Sequence, residues 1–258
     1  MYFGFKDIKI NYGTKTIIEN LSMDVPKGKI STIIGPNGSG KSSLLRMISR
    51  KNPPAQGKVI YKDKSIYDYD TKELAKKIAF LPQIHKSPTD ATVRTLVANG
   101  RFPYRSMLGG LSAKDEEIID EAIEFTGLSA LEHRALRTLS GGERQRAWIA
   151  MTMATQAEIL VLDEPTTYLD ISYQIELMDL IERMKEEYGT TILLVLHDIN
   201  LAIRYSDYLF ALKDKNILFE GRREEVITRE NIRDIFALDA EIIHHDGQMI
   251  MVPGRRKL

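Results

Sequence analysis

The stretch Gly35-Pro36-Asn37-Gly38-Ser39-Gly40-Lys41-Ser42 constrains this chain more than any other. It fits G-x-x-x-x-G-K-[ST], a loop that cradles phosphate groups. Its flanks fit too. Lys29 to Ile34 is short and β-branched and reads as a strand. Ser43 to Ile48 spaces its apolar residues by three and four and reads as the start of a helix. A strand, a glycine loop and a helix aim successive backbone N–H groups and a helix N-terminus at one point, where anions bind. Gly38 and Gly40 let the backbone approach phosphate oxygens with no Cβ in the way. In such a loop Lys41 reaches the β- and γ-phosphates, and the Ser42 hydroxyl can ligate magnesium.

A chain of 258 residues has room for a large core and one or two domains. Its 36 basic and 36 acidic residues balance, which argues against coating nucleic acid through a basic face. The basic run Arg255-Arg256-Lys257 reads as a solvated chain end. With no cysteine, disulfides and thiolate metal sites are excluded, and a reducing compartment fits. Met1 to Asp7 lacks the basic and apolar regions of a signal peptide. No apolar run approaches the roughly 18 residues that span a bilayer. The expectation is a soluble, cytoplasmic chain whose membrane role runs through partner proteins.

Residues 1–34 read as strands, with turns at Tyr12-Gly13 and at Pro26-Lys27-Gly28. Tyr12 is placed to stack on a nucleotide base, or to pack as an ordinary tyrosine. Gly57 to Tyr61 is a further strand and Thr71 to Lys77 a short helix. Gln83 follows a strand-like Ile78-Ala79-Phe80, at a strand end where ligand contacts gather in α/β sheets, though by itself it reads equally as a polar loop residue. From there to about residue 156 the pattern is helical. Ser112 to Asp115 has capping-box spacing before an apolar face of Ile118, Ile119, Ala122, Ile123 and Phe125.

Ser140-Gly141-Gly142-Glu143 is a capping box opening the helix that holds Ala147, Trp148, Ile149, Met151 and Ala154. The same physics makes it a second exposed anion site, because a helix N-terminus with two glycines and a hydroxyl points N–H groups outward. Ile159 to Leu162 reads as a buried strand ending in Asp163-Glu164-Pro165. Two adjacent acids there are costly unless used. Asp163 suits a magnesium shell and Glu164 the position of a general base for water. Thr166 to Asp170 leads into a long helix with Ile175, Met178, Ile181 and Met184 inward. Thr191 to Leu196 is another apolar strand, and His197 at its carboxyl end either faces a ligand crevice or, as is more often the case for a lone histidine, is satisfied as a structural residue. Tyr208 to Gly221 reads as a hairpin turning through Asp214-Lys215-Asn216. A short helix around Glu230 to Phe236 and an irregular tail follow. His244-His245 lacks an evident third metal ligand, and neighbouring strand residues point to opposite faces.

The order Tyr12, Gly35 to Ser42, Gln83, Leu139 to Glu143, Leu162 to Pro165, Leu169-Asp170, His197 resembles the ATP-binding cassette (ABC) ATPases over residues 1 to about 225. The correspondence takes in the A-loop, Walker A, Q-loop, signature, Walker B, D-loop and switch histidine. Glu143 stands where the commonest family signature has glutamine. The resemblance implies an α/β P-loop NTPase fold with a RecA-like core, an N-terminal antiparallel β subdomain and an inserted α-helical subdomain. Its implied boundaries are 1–84 with 157–222 for the core and β subdomain, 85–156 for the helical subdomain and 223–258 for a C-terminal extension. Thr92 to Tyr104, Pro165 to Ile171 and His197-Asp198-Ile199-Asn200 are similar to ATPases that energise import of iron–siderophore, haem and cobalamin complexes.

The same resemblance implies two copies of the chain sandwiching ATP and Mg2+. Each nucleotide would lie between the Gly35–Ser43 loop of one copy and Ser140, Gly141, Gly142 and Glu143 of the other. Lys41 and the loop residues Pro36, Asn37, Gly38, Ser39 and Gly40 would hold phosphate, with Ser43 beside them and Tyr12 on the base. Ser42, Gln83 and Asp163 would set the metal. Glu164 would activate water, His197 would contact the γ-phosphate, and Asp170 would link the two sites. The implied partners are a membrane permease and, indirectly, an extracytoplasmic substrate-binding protein, with no nucleic acid. The implied location is the cytoplasmic face of the membrane. Rival readings are weaker. Chromosome-type relatives carry a long coiled coil, and no heptad run lies between Lys41 and Ser140. Translation-type relatives carry two cassettes. A non-catalytic module sits badly with Glu164 and His197, and the Gly100 to Tyr104 stretch favours import over an exporter half.

Overall fold

A computed structural model describes residues 1–83, 90–106 and 109–254. In chain order the strands are β1 (Phe3–Tyr12), β2 (Lys15–Asp24), β3 (Ile30–Ile34), β4 (Gln56–Tyr61), β5 (Lys64–Ser65), β6 (Ile78–Leu81), β7 (Ile159–Asp163), β8 (Thr191–Val195), β9 (Tyr208–Lys213), β10 (Asn216–Arg222), β11 (Ala240–His245) and β12 (Gln248–Pro253). The helices are α1 (Lys41–Arg46), α2 (Thr71–Ala75), α3 (Val93–Ala98), α4 (Ala113–Phe125), α5 (Gly141–Ala154), α6 (Ile171–Tyr188), α7 (Ile199–Tyr205), α8 (Arg223–Val226) and α9 (Arg229–Phe236). The chain divides into two units, Met1–Asp68 with Thr191–Leu258, and Tyr69–Thr190.

The first unit carries an antiparallel sheet ordered β2-β1-β4-β5 and a run of strands ordered β10-β9-β3-β8. β3 pairs in parallel with both β8 and β9, and β9 turns back antiparallel into β10. All five residues of β3 and all five of β8 are buried. That explains their unbroken β-branched and leucine runs, since a parallel strand covered on both faces needs no polar side. Of the polar exceptions, Thr32 Oγ1 and Ser206 Oγ share a hydrogen bond of 2.5 Å and Thr191 Oγ1 accepts from Gly28 N at 2.9 Å, whereas Ser31 Oγ is buried with no hydrogen-bond partner among the described residues. The second unit pairs β6 and β7 in parallel and packs α3, α4 and α5 together. Residues on either side of the Thr92–Ala135 bridge also pair, with Val93 N–H on Arg134 O and Leu136 N–H on Ala91 O. Among the described residues no helix is long and apolar enough to cross a membrane.

The structure corrects several expectations. The tail after α9 is not irregular but a hairpin, β11 with β12, in register from Ala240↔Pro253 to His245↔Gln248. Its turn is Asp246-Gly247, with φ of 49° and 74°. Asp-Gly between apolar runs is the strongest short hairpin signal, and both residues supply the left-handed backbone that such a turn needs. A short helix, α8, also precedes α9. Tyr12 ends β1 rather than opening the turn, pairing with Lys15. α2 stops at Ala75, because Lys76 closes its last turn. On α6, Ile175 is half-buried while Leu177 and Leu180 join Met178, Ile181 and Met184 inside. Residues 84–89 and 255–258 lie outside the described residues, and with them both the stretch immediately after Gln83 and Arg255-Arg256-Lys257.

Candidate functional site

In the first unit, β3 delivers the chain into the loop at Gly35 and α1 starts at Lys41. The loop's glycines are required by backbone conformation. Gly40, the N-cap of α1, has φ of 105°, and Gly38 has φ of 79°. A Cβ on Gly38 would meet no protein atom within 4 Å, so that side of the loop is open for a ligand to approach. Lys41 is buried, and its Nζ donates to Gly35 O at 2.8 Å and Pro36 O at 2.9 Å. The two carbonyls hold this ammonium against the loop itself, so its positive charge lies within the loop. Ser39 Oγ is buried with no hydrogen-bond partner in the structure, a hydroxyl placed to meet an external acceptor. Pro36 and Ser43 are half-buried, and Asn37 is exposed. A phosphate chain fits this loop, since the Lys41 ammonium and the Ser39 hydroxyl are both able to donate there.

Tyr12 is 47 % exposed at the end of β1, an aromatic face available for stacking. His197 lies exposed in the turn between β8 and α7. The next residue, Asp198, caps α7, with Oδ1 accepting from Asn200 N at 2.7 Å and Leu201 N at 3.1 Å.

In the second unit, β7 ends at Asp163, which is 1 % exposed, and Glu164 follows at 9 %. Glu164 has φ of 54°, a left-handed conformation that costs a non-glycine residue about 1–3 kcal/mol. Its carboxylate meets two donors. Gln83 Nε2 donates to Glu164 Oε2, and Thr167 Oγ1 donates to the same oxygen at 3.3 Å. Two residues from opposite ends of this unit's sequence thus form one cluster, and Thr167 joins it although nothing in its local sequence marks it.

The serine-glycine stretch has the expected cap. Ser140 Oγ accepts from Glu143 N at 3.2 Å, and Glu143 Oε2 accepts from Ser140 N at 2.8 Å. That backbone bond holds the Glu143 carboxyl below its usual range, helped by the Ser140 hydroxyl. Ser140 and Gly141 are exposed, whereas Gly142 is buried. A Cβ on Gly142 would lie 2.4 Å from Tyr173 Cδ1, so Tyr173 of α6 excludes any side chain there. Asp170 is exposed as the N-cap of α6, after Tyr168, which is 95 % exposed. Gln174 Nε2 steadies this loop through Leu169 O at 2.9 Å.

The Gly100 to Tyr104 stretch serves the packing of its unit. Arg101 is 4 % exposed, pairs with Asp115 Oδ1 at 2.7 Å and lies over the Tyr104 ring at 3.8 Å. Phe102 is 64 % exposed. His244 and His245 are exposed on β11, and among the described residues they join no third His, Asp or Glu in a metal-holding group.

Comparison with known proteins gives a consistent answer. The ABC transporter family profile matches residues 18–167. The chain is 45% identical over 238 residues, 92% of this chain and 88% of the other, to the iron(3+)-hydroxamate import ATP-binding protein FhuC of Bacillus subtilis. It is 43% identical over 250 residues, 96% and 92% of the two chains, to the ferric enterobactin transport ATP-binding protein FepC of Escherichia coli. Among solved structures, a bacterial ABC transporter cassette in dimeric form superposes with a TM-score of 0.74 at 29% identity, covering 86% of this chain and 98% of that one. The chain belongs to the ABC transporter family, as one of its ATP-binding subunits.

Proposed function

We propose that this chain is the ATP-hydrolysing subunit of an importer that takes up an iron complex, a siderophore or haem. The observation that carries hydrolysis is the Glu164 carboxylate, buried, held in a left-handed backbone and bonded by Gln83 and Thr167. A carboxylate so fixed supports the reading of Glu164 as a general base, a role typically worth about 10²–10⁴ in rate. The cargo is supported by the names of the relatives, which act on iron(3+)-hydroxamate, ferric enterobactin and petrobactin.

In this reading Tyr12 stacks on adenine, and the Gly35–Ser43 loop with Lys41 binds the phosphates. Glu164 orients and deprotonates the water, and His197 contacts the γ-phosphate. Ser140, Gly141, Gly142 and Glu143 of a second copy close over the nucleotide, and Asp170 links the two sites. Ser42, Asp163 and Gln83 would hold magnesium, a set of oxygen donors that suits a hard cation. Gln83 can serve both tasks, because its NH2 is engaged with Glu164 while its Oε1 is the acceptor end of the same amide. Magnesium, when bound, neutralises phosphate charge. The proposed boundaries remain 1–84 with 157–222 for the core and β subdomain, 85–156 for the helical subdomain and 223–258 for the extension. The chain would work at the cytoplasmic face of the membrane on a permease supplied by an external binding protein.

Two experiments test this. Glu164→Gln should bind ATP and accumulate as a two-chain species in sedimentation with ATP and magnesium. Turnover at the wild-type rate would remove Glu164 as the base. For the cargo, ATPase activity of the chain reconstituted with its permease and binding protein should rise with an iron complex. A rise with cobalamin, a sugar or an amino acid, and none with an iron complex, would refute the cargo.

A further inference from the structure

Asn200 ties the turn that carries His197 to the C-terminal hairpin. Asn200 sits three positions after the histidine, in the first turn of α7. Its Nδ2 donates to Met251 O at 3.1 Å, and Met251 N–H donates to its Oδ1 at 2.9 Å. A primary amide offers a donor and an acceptor side by side, the same pair that a strand residue offers along its edge. Asn200 therefore stands in for a neighbouring strand against β12.

The register of the hairpin explains why Met251 is available. In an antiparallel pair, alternate residues turn their N–H and C=O toward the partner strand or away from it. Gly254 N–H bonds Asp239 O, so the residues in phase with Gly254, Val252 and Ile250, face β11. Met251 is out of phase and presents both groups on the outer edge. Pro253 shares that edge and has no N–H to offer, which restricts edge pairing beyond Met251.

Asp198 fixes His197 only relative to α7, because its cap bonds stay within that helix. The placement of α7 itself comes from the buried Ile199, Leu201, Ala202, Ile203 and Tyr205, from Arg223 Nη1, which donates to Ile203 O at 3.2 Å and Arg204 O at 3.0 Å near the helix's C-terminal end, and from the Asn200–Met251 pair at its first turn, beside His197. Apolar packing resists separation but has no preferred direction within the contact plane. Two hydrogen bonds from one planar amide do have one.

We propose that Asn200 is a positioning residue for His197, and that the β11–β12 hairpin sets the place of this histidine through Met251. The proposal rests on the reading of His197 as the contact to the γ-phosphate. A misplacement of about 1 Å remote from the chemistry can cost about a hundredfold in rate. Releasing the restraint at the first turn of α7, with the apolar packing and the Arg223 bonds at its far end kept, should cost less, about tenfold.

The test uses the purified full-length chain and its steady-state ATPase, with two variants that break the pair from opposite sides. Asn200→Ala removes the amide. Met251→Pro removes the N–H that Asn200 accepts and leaves the bonds between β11 and β12, since that N–H points outward. Each should lower kcat about tenfold with KM for ATP within about twofold, because binding is served elsewhere. In a His197→Ala background, neither should lower the residual rate further, as expected for groups acting through one another. Wild-type kcat in Asn200→Ala, whatever its melting temperature, would overturn the proposal. A loss that persists in full on top of His197→Ala would overturn the clamp and leave the histidine's role intact. A wild-type rate in His197→Ala alone would overturn the histidine's role, and the proposal with it.

Discussion

Replacing Arg101 by alanine should destabilise this protein more than most single changes, and the structure sets the size. The guanidinium is buried, with Nε on Asp115 Oδ1 at 2.7 Å and Nη1 on Ala154 O at 2.9 Å and Gln156 Oε1 at 3.2 Å. It also covers the Tyr104 ring. Removing one partner of a buried ion pair costs about 3–5 kcal/mol. Asp115 keeps its bonds from Ser112 N at 2.9 Å and Ser112 Oγ at 2.7 Å, so the lower end applies, about 3 kcal/mol. The Ala154 carbonyl, at the end of α5, loses a charged donor worth about 1 kcal/mol or more. The cation–ring contact adds about 1 kcal/mol. The total is about 5 kcal/mol, or a melting temperature lower by about 10–20 °C for a chain of this size. Thermal unfolding of the full chain by circular dichroism measures it. The double change Arg101→Leu with Asp115→Asn leaves no buried charge and should recover about 2 kcal/mol relative to the single change. By contrast Phe102→Ala, at an exposed neighbour, should stay within about 2 °C of wild type. A melting temperature for Arg101→Ala within about 2 °C of wild type would refute the reasoning.

Gly142→Ala should cost about 1–3 kcal/mol, because its Cβ would overlap the Tyr173 ring. In a Tyr173→Ala background that penalty should vanish from the melting temperature, and an undiminished penalty would mean that the glycine is needed for another reason. The Asp115 carboxyl is lowered from 3.8 to about 2, chiefly by the Ser112 hydroxyl and backbone N–H and also by Arg101. Its folded pKa lies below its unfolded one, so the stability it contributes is present above about pH 4 and is lost as pH falls toward about pH 2. Urea midpoints of wild type and Asp115→Asn should therefore differ more at about pH 5 than at about pH 3, and a constant difference would contradict the assignment.

Much of the site was legible because its parts are local. A capping box needs only a hydroxyl and an acid three residues apart, and both Ser112–Asp115 and Ser140–Glu143 form as their spacing implies. The Gly35–Ser42 loop was legible for the same reason, since strand, glycines and helix start are contiguous. Even the β11–β12 hairpin lay in plain view in Asp246-Gly247. Its alternation is blurred by the adjacent histidines and by Ile242 beside Ile243.

What remained hidden are the partnerships between residues far apart in the chain. Gln83 and Glu164 are 81 positions apart, Asn200 and Met251 are 51 apart, and Arg101 reaches Gln156 across 55. The sequence determined which groups are present and the local backbone that holds each one: the phosphate loop, the two capped helices and the acidic strand end. The tertiary structure decided which of them touch. Strand register brings Gln83 beside Glu164, helix packing presses Tyr173 onto Gly142, and the edge of a hairpin takes the Asn200 amide. Register and packing arise from burying many side chains at once, so no local window of residues carries that information.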